Sequence, residues 1–63
     1  MSLIRHPLEQ AAHKRELART IRRTALTIPR GILRERVIRQ AERLEKEAEG
    51  IEVLARATRR RAQ

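Results

Sequence analysis

The sequence predicts an all-α protein: an antiparallel hairpin of two helices with a break near Ile28–Gly31, assembling with further copies of itself into a helix bundle or coiled coil. Three observations carry this. Alanine recurs at every seventh position in the second half, as Ala41, Ala48, Ala55 and Ala62. The same spacing runs through the first half as Ala11, Ala18 and Ala25. Between the halves stand Pro29 and Gly31, the first lacking a backbone donor and disfavouring helix at Ile28, the second a residue that poorly sustains one.

The chain begins with residues 1–6, which carry no periodic pattern, although Leu3 and Ile4 could fold back on a helix. The first helix is expected over 7–27. Pro7 suits a first helical position because its missing N–H would have no partner there, and Glu9 falls in the first turn, where the helix dipole favours an anion. Leu17, Ile21 and Ile28 edge one side of its alanine row, and Leu8 and Leu26 the other. A turn over 28–31 follows, short enough to favour antiparallel neighbours; a single long helix kinked at Pro29 is the competing arrangement.

The second helix is expected over 31–60, with a tail at 61–63. Val37, Leu44, Ile51 and Thr58 alternate with its alanines at steps of four and three, which is the stripe of a coiled-coil seam with small residues at one of its two positions. Gly50 is its soft point, but both series cross that position in phase, so it reads as interior. Glu35 with Arg39, Glu42 with Lys46, and Glu52 with Arg56 are spaced to support the helix as i, i+4 ion pairs. The acidic middle, Glu42 to Glu49, should lie near His13, Lys14 and Arg15 of the first helix.

Folded about Pro29, such a hairpin sets Ala11 near Glu47 and leaves everything beyond Gly50 without cover from its own chain. Fifteen Leu, Ile and Val side chains and no aromatic make a thin core for 63 residues, and with no cysteine there is no disulfide to supplement it. Self-association is the expected remedy, through Ala41, Leu44, Ala48, Ile51, Leu54 and Ala55.

The function classes narrow mainly by exclusion. There is no Cys, Asp or Tyr, Ser2 is the only serine, and no glycine loop could cradle a phosphate, so no enzyme, small-molecule substrate or cofactor is expected. His6, Glu9, His13 and Glu16 fall on one side of the first helix, but that side faces away from the alanine seam and offers no enclosure, so no metal is expected either. No apolar run approaches a membrane span, and the chain reads as cytoplasmic.

What remains is charge. The formal net charge is +8, and fourteen of the sixteen cations are Arg, the side chain suited to bidentate phosphate contacts. Arg15, Arg19 and Arg22 form a row beside the seam, with Arg23 one step further round; Arg30 and Arg34 join them near the turn, together with Arg36 and Arg39. Arg56, Arg59, Arg60 and Arg61 form a second cluster. A non-enzymatic protein gripping the backbone of duplex or structured RNA or DNA is the expected function, since there are no aromatics to stack on bases and no Asn to read them. The alternative is a structural assembly or adaptor subunit docking on helices of a partner protein. Membrane-surface binding ranks third, for want of Trp or Phe anchors.

Overall fold

A computed structural model of the chain describes residues 6–62, with side chains described from 6 to 60. The expectations for residues 1–5, for Arg61 as a side chain and for Gln63 lie outside the described residues. Two helices make up the fold, α1 over Pro7–Ala25 and α2 over Ile32–Ala62, packed on each other as a hairpin with overall extents of 49 × 27 × 13 Å.

The start of α1 is held by His6. Its Nδ1 accepts a hydrogen bond from the Leu8 amide at 3.2 Å, and its carbonyl accepts from the Glu9 and Gln10 amides at 2.9 and 3.0 Å. A ring nitrogen thus performs the capping task usually given to a Ser, Asp or Asn oxygen. Glu9 in the first turn and Arg22 and Arg23 in the last complement the dipole. The helix then tapers, as the Leu26, Thr27 and Ile28 amides donate to the carbonyls three residues back, and Pro29 has no amide to continue the series. α2 starts from Gly31, whose carbonyl accepts from the Glu35 amide at 3.1 Å and whose φ of +151° favours glycine. The break falls where the sequence places it. Both helices meet it two residues or fewer from the expected limits, at 25 rather than 27 and at 32 rather than 31, so the connector is six residues long.

Between the helices lies a seam of alanines. Ala11, Ala18 and Ala25 on α1 and Ala41 and Ala48 on α2 are 0–2% exposed, and among the described residues no large side chain is fully buried. Methyl groups let two backbones approach closely, which explains why the spacing is seven and why nothing larger interrupts it. The register is read from two ion pairs: Arg15 meets Glu52 and Arg22 meets Glu45, a step of seven up one helix matched by seven down the other. The same register sets Ala11, Ala18 and Ala25 beside Ala55, Ala48 and Ala41 to within a residue.

That register corrects the expected overhang. Ala11 lies near Ala55, about eight residues further along α2 than a turn folded at Pro29 would place it, and Ile51, Glu52 and Ala55 are only half-exposed. The cause is the connector. Residues 26–31 run alongside the first turns of α2, a rise of roughly 14 Å for nine residues, which six residues of extended chain can span at ~3.3 Å each. The surplus length of α2 therefore projects at the turn end, where Ile28, Val37 and Ile38 are half-buried and Leu26, Ile32 and Leu33 stand 72%, 71% and 63% exposed. α2 itself runs through Gly50 without interruption, as its phase implies.

Candidate nucleic-acid interface

The cations divide into those the hairpin uses and those it leaves facing water. On one flank of the seam Arg15 and Arg22 each grip a carboxylate with two guanidinium nitrogens. Arg15 donates to Glu52 at 3.0 and 2.7 Å, and Arg22 to Glu45 at 2.8 and 2.7 Å. On the other flank Lys14 donates to Glu47 at 2.8 Å. Arg19 reaches Glu16 on its own helix at the longer distance of 3.4 Å.

These contacts set the electrostatics. Hydrogen bonds from Arg22 hold the Glu45 carboxyl below its ordinary value of 4.5, those from Arg15 do the same for Glu52, and the Lys14 ammonium does so for Glu47. Reciprocally, the bonds to Glu52 and Glu45 raise the guanidinium pKa of Arg15 and Arg22. The expected i, i+4 pairs are not what forms. Glu52 turns across the seam to Arg15 rather than along α2 to Arg56, and neither Glu35 nor Glu42 makes an ion pair. A fixed bidentate partner on a packed neighbouring helix outcompetes a mobile one on the same exposed face.

Of the expected binding residues, then, Arg15 and Arg22 are already engaged within the fold, and Arg19 is held loosely. Arg23, Arg30, Arg56, Arg59 and Arg60 are exposed and, among the described residues, in no ion pair; Arg34 is half-buried and likewise unpaired. The turn-end group and the 56–60 group lie toward opposite ends of the rod. Sequence reasoning placed Arg36 and Arg39 with the turn-end group and passed over the row they form with Arg43 and Lys46. Arg36, Arg39, Arg43 and Lys46 follow at steps of three, four and three, all exposed and unpaired, on the side of α2 turned away from the seam. The signal was present as a heptad pattern half a turn from the alanines, and it was masked by reading Glu42, Glu45, Glu47 and Glu49 as one acidic block. Glu45 and Glu49 lie toward Arg15 and Arg22, Glu42 and Glu47 border the row, and Glu45 and Glu47 are bound by α1.

Of the expected interface residues, Ala41 and Ala48 are fully buried against α1, Leu44, Ile51 and Ala55 are half-buried, and Leu54 is 69% exposed. Leu54 and Ile51 line a largely apolar groove of about 530 Å³ at the open end of the hairpin, together with Pro7, Leu8, Arg56 and Arg59. His6, Glu9, His13 and Glu16 are all exposed, and no three His or acidic side chains converge among the described residues. None of the described helices is long and apolar enough to cross a membrane. Comparison with models of known protein families, with curated proteins and with solved structures finds no match to this chain.

Proposed function

We propose that this protein is a non-enzymatic nucleic-acid-binding protein that grips the phosphate backbone of duplex or structured RNA or DNA, acting as a homo-oligomer of helical hairpins. The observation that supports it is the sorting of charge. Glu45, Glu47 and Glu52 are turned inward onto α1, whereas Arg36, Arg39, Arg43 and Lys46 line the outward side of α2 with no carboxylate bound to them. Arg23 and Arg30 extend the basic surface at the turn end, and Arg56, Arg59 and Arg60 extend it at the open end. A helix row rising ~5 Å per cation suits a run of phosphates, which carry one charge per ~3.4 Å of each strand.

The test is an electrophoretic mobility shift on mixed duplex DNA and RNA across a salt series. The logarithm of the affinity should fall linearly with the logarithm of salt concentration, by about 0.9 for each phosphate neutralised. Arg36→Gln with Arg39→Gln and Arg43→Gln should flatten that slope by about three contacts, whereas Arg15→Gln should change it little. Affinity that ignores salt, or no shift at low salt, would end this reading. The second reading, an assembly or adaptor subunit docking on helices of a partner protein, draws on the half-exposed aliphatic side chains, and it would be favoured by retention of a protein partner in high salt.

A further inference from the structure

The two flanks of the alanine seam differ in a way that points to a partner. We infer that the flank formed by Leu17 and Ile21 of α1 with Leu44, Ile51 and Leu54 of α2 is covered by the same flank of a second copy, two hairpins closing into a four-helix bundle. This deepens the oligomeric half of the reading above and is independent of whether nucleic acid is bound.

Three observations support a second copy as the occupant. The first is composition. On this flank, between Gln10 and Thr24 of α1 and between Val37 and Thr58 of α2, the positions that helical geometry turns outward are aliphatic, Gln or Thr, with Lys14 and Glu47 as the charges within the strip and Arg43 and Arg56 at its borders. Lys14 and Glu47 neutralise each other at 2.8 Å. In a chain of net charge +8, such a neutral strip gives no purchase to an acidic partner and meets no repulsion from a copy of itself.

The second is burial. Leu17 and Leu54 remain 41% and 69% exposed, Ile21, Leu44 and Ile51 are half-buried, and among the described residues the only fully buried side chains are alanines. A hairpin whose core is methyl groups has its larger aliphatics arranged around a centre that a second hairpin would supply.

The third is the contrast with the opposite flank. There the groove of about 350 Å³ is lined by Arg15, Arg22, Glu42, Glu45, Lys46 and Glu49, whose charges would have to be stripped of water for a second hairpin to pack on them. The copies therefore meet on the neutral flank, and the row Arg36, Arg39, Arg43 and Lys46 stays outside.

Sedimentation equilibrium of the full chain over a concentration series tests this, with Leu17→Glu/Leu54→Glu as the interface variant and Ala12→Glu/Ala57→Glu, at exposed positions off this flank, as the charge-matched control. The native chain and the control should approach twice the chain mass, while the interface variant stays at one chain up to concentrations at least tenfold higher. A native chain that stays at 7.4 kDa while fully helical overturns the inference. So does an interface variant that associates like the native chain, a control that dissociates equally, or a plateau above two copies. If the interface variant loses its helicity, circular dichroism of the native chain on dilution decides: helicity falling together with mass supports the inference, and helicity unchanged by dilution overturns it. A monomer that still shifts nucleic acid with a steep salt slope would sink this inference and spare the binding reading, and a dimer that shifts none would do the reverse.

Discussion

On one side of the alanine seam, Arg15–Glu52 and Arg22–Glu45 tie the helices together through four short hydrogen bonds; on the other, Leu17, Ile21, Leu44 and Ile51 sit half-covered around a single Lys14–Glu47 pair. The difference assigns the two flanks different tasks. Alanines spaced by seven match equally well if one helix slides by a whole heptad, so the seam alone does not choose a register. The charged flank does. Sliding by seven in one direction keeps Arg15 against an acid, Glu45, but sets Arg22 against Ile38; sliding in the other gives Arg22 to Glu52 and sets Arg15 against Arg59. Only the observed register satisfies both arginines. The aliphatic flank carries no such instruction and contributes area instead.

The largest break in this comparison should come from the seam on which both flanks depend. Ala48 is 0% exposed and lies on α2 between the two bound glutamates, as Ala18 lies on α1 between the two arginines. Ala48→Leu forces three further carbons into a space closed by backbone and should cost about 1–3 kcal/mol in denaturant unfolding. It should also spread the helices and lengthen both bidentate contacts. A cost under ~0.5 kcal/mol would mean that the helices are not held apart by methyl groups alone.

Acid should sharpen the comparison by silencing one flank. Glu45, Glu52 and Glu47 all have folded-state pKa values depressed by their cationic partners, chiefly through hydrogen bonds from Arg22, Arg15 and Lys14. A depressed folded value means that the ionised carboxylate favours the folded state. That contribution is complete above the ordinary value near 4.5 and is lost as the pH falls through the lower folded values. Thermal unfolding followed by circular dichroism should therefore be nearly flat from pH 7 to about pH 5 and decline below it. In Glu45→Gln/Glu52→Gln most of that decline should vanish. Acid sensitivity unchanged in the double variant would show that the bidentate pairs are not coupled to folding.

Much of this architecture was legible in the residue order. The seven-residue alanine series, Pro7 at a helix start and the Pro29–Gly31 break give the two helices and their antiparallel packing, because small-residue spacing and backbone restriction are local properties. Register was not legible, since it depends on how many residues the connector consumes. Tapering of α1 at Ala25 and the late start of α2 at Ile32 shift it by about eight residues, moving the uncovered length from the C-terminal end to the turn. The proposed binding surface was legible in composition and not in assignment. Arg15 and Arg22 look like their unpaired neighbours until the fold brings Glu52 and Glu45 across from them, and the row from Arg36 to Lys46 emerges only once those glutamates are assigned inward.

The smallest expected effect comes from a position that belongs to neither flank. Gly50 is exposed within continuous α2, half a turn from the alanines, and a Cβ built on it meets no atom within 4 Å. Nothing in the hairpin calls for the missing side chain there, and its φ is not positive. Gly50→Ala should therefore stabilise the protein by about 0.5–1 kcal/mol, through the smaller conformational entropy of the unfolded chain and better helix propensity. It should leave the acid dependence and the salt slope of binding where they were, because it touches neither the bidentate pairs nor the basic row. A destabilising Gly50→Ala would place something against that outward side, the side that also carries Arg36, Arg39, Arg43 and Lys46. The division of labour between a charged, register-setting flank and an aliphatic, half-covered one would then need a third contact surface to complete it.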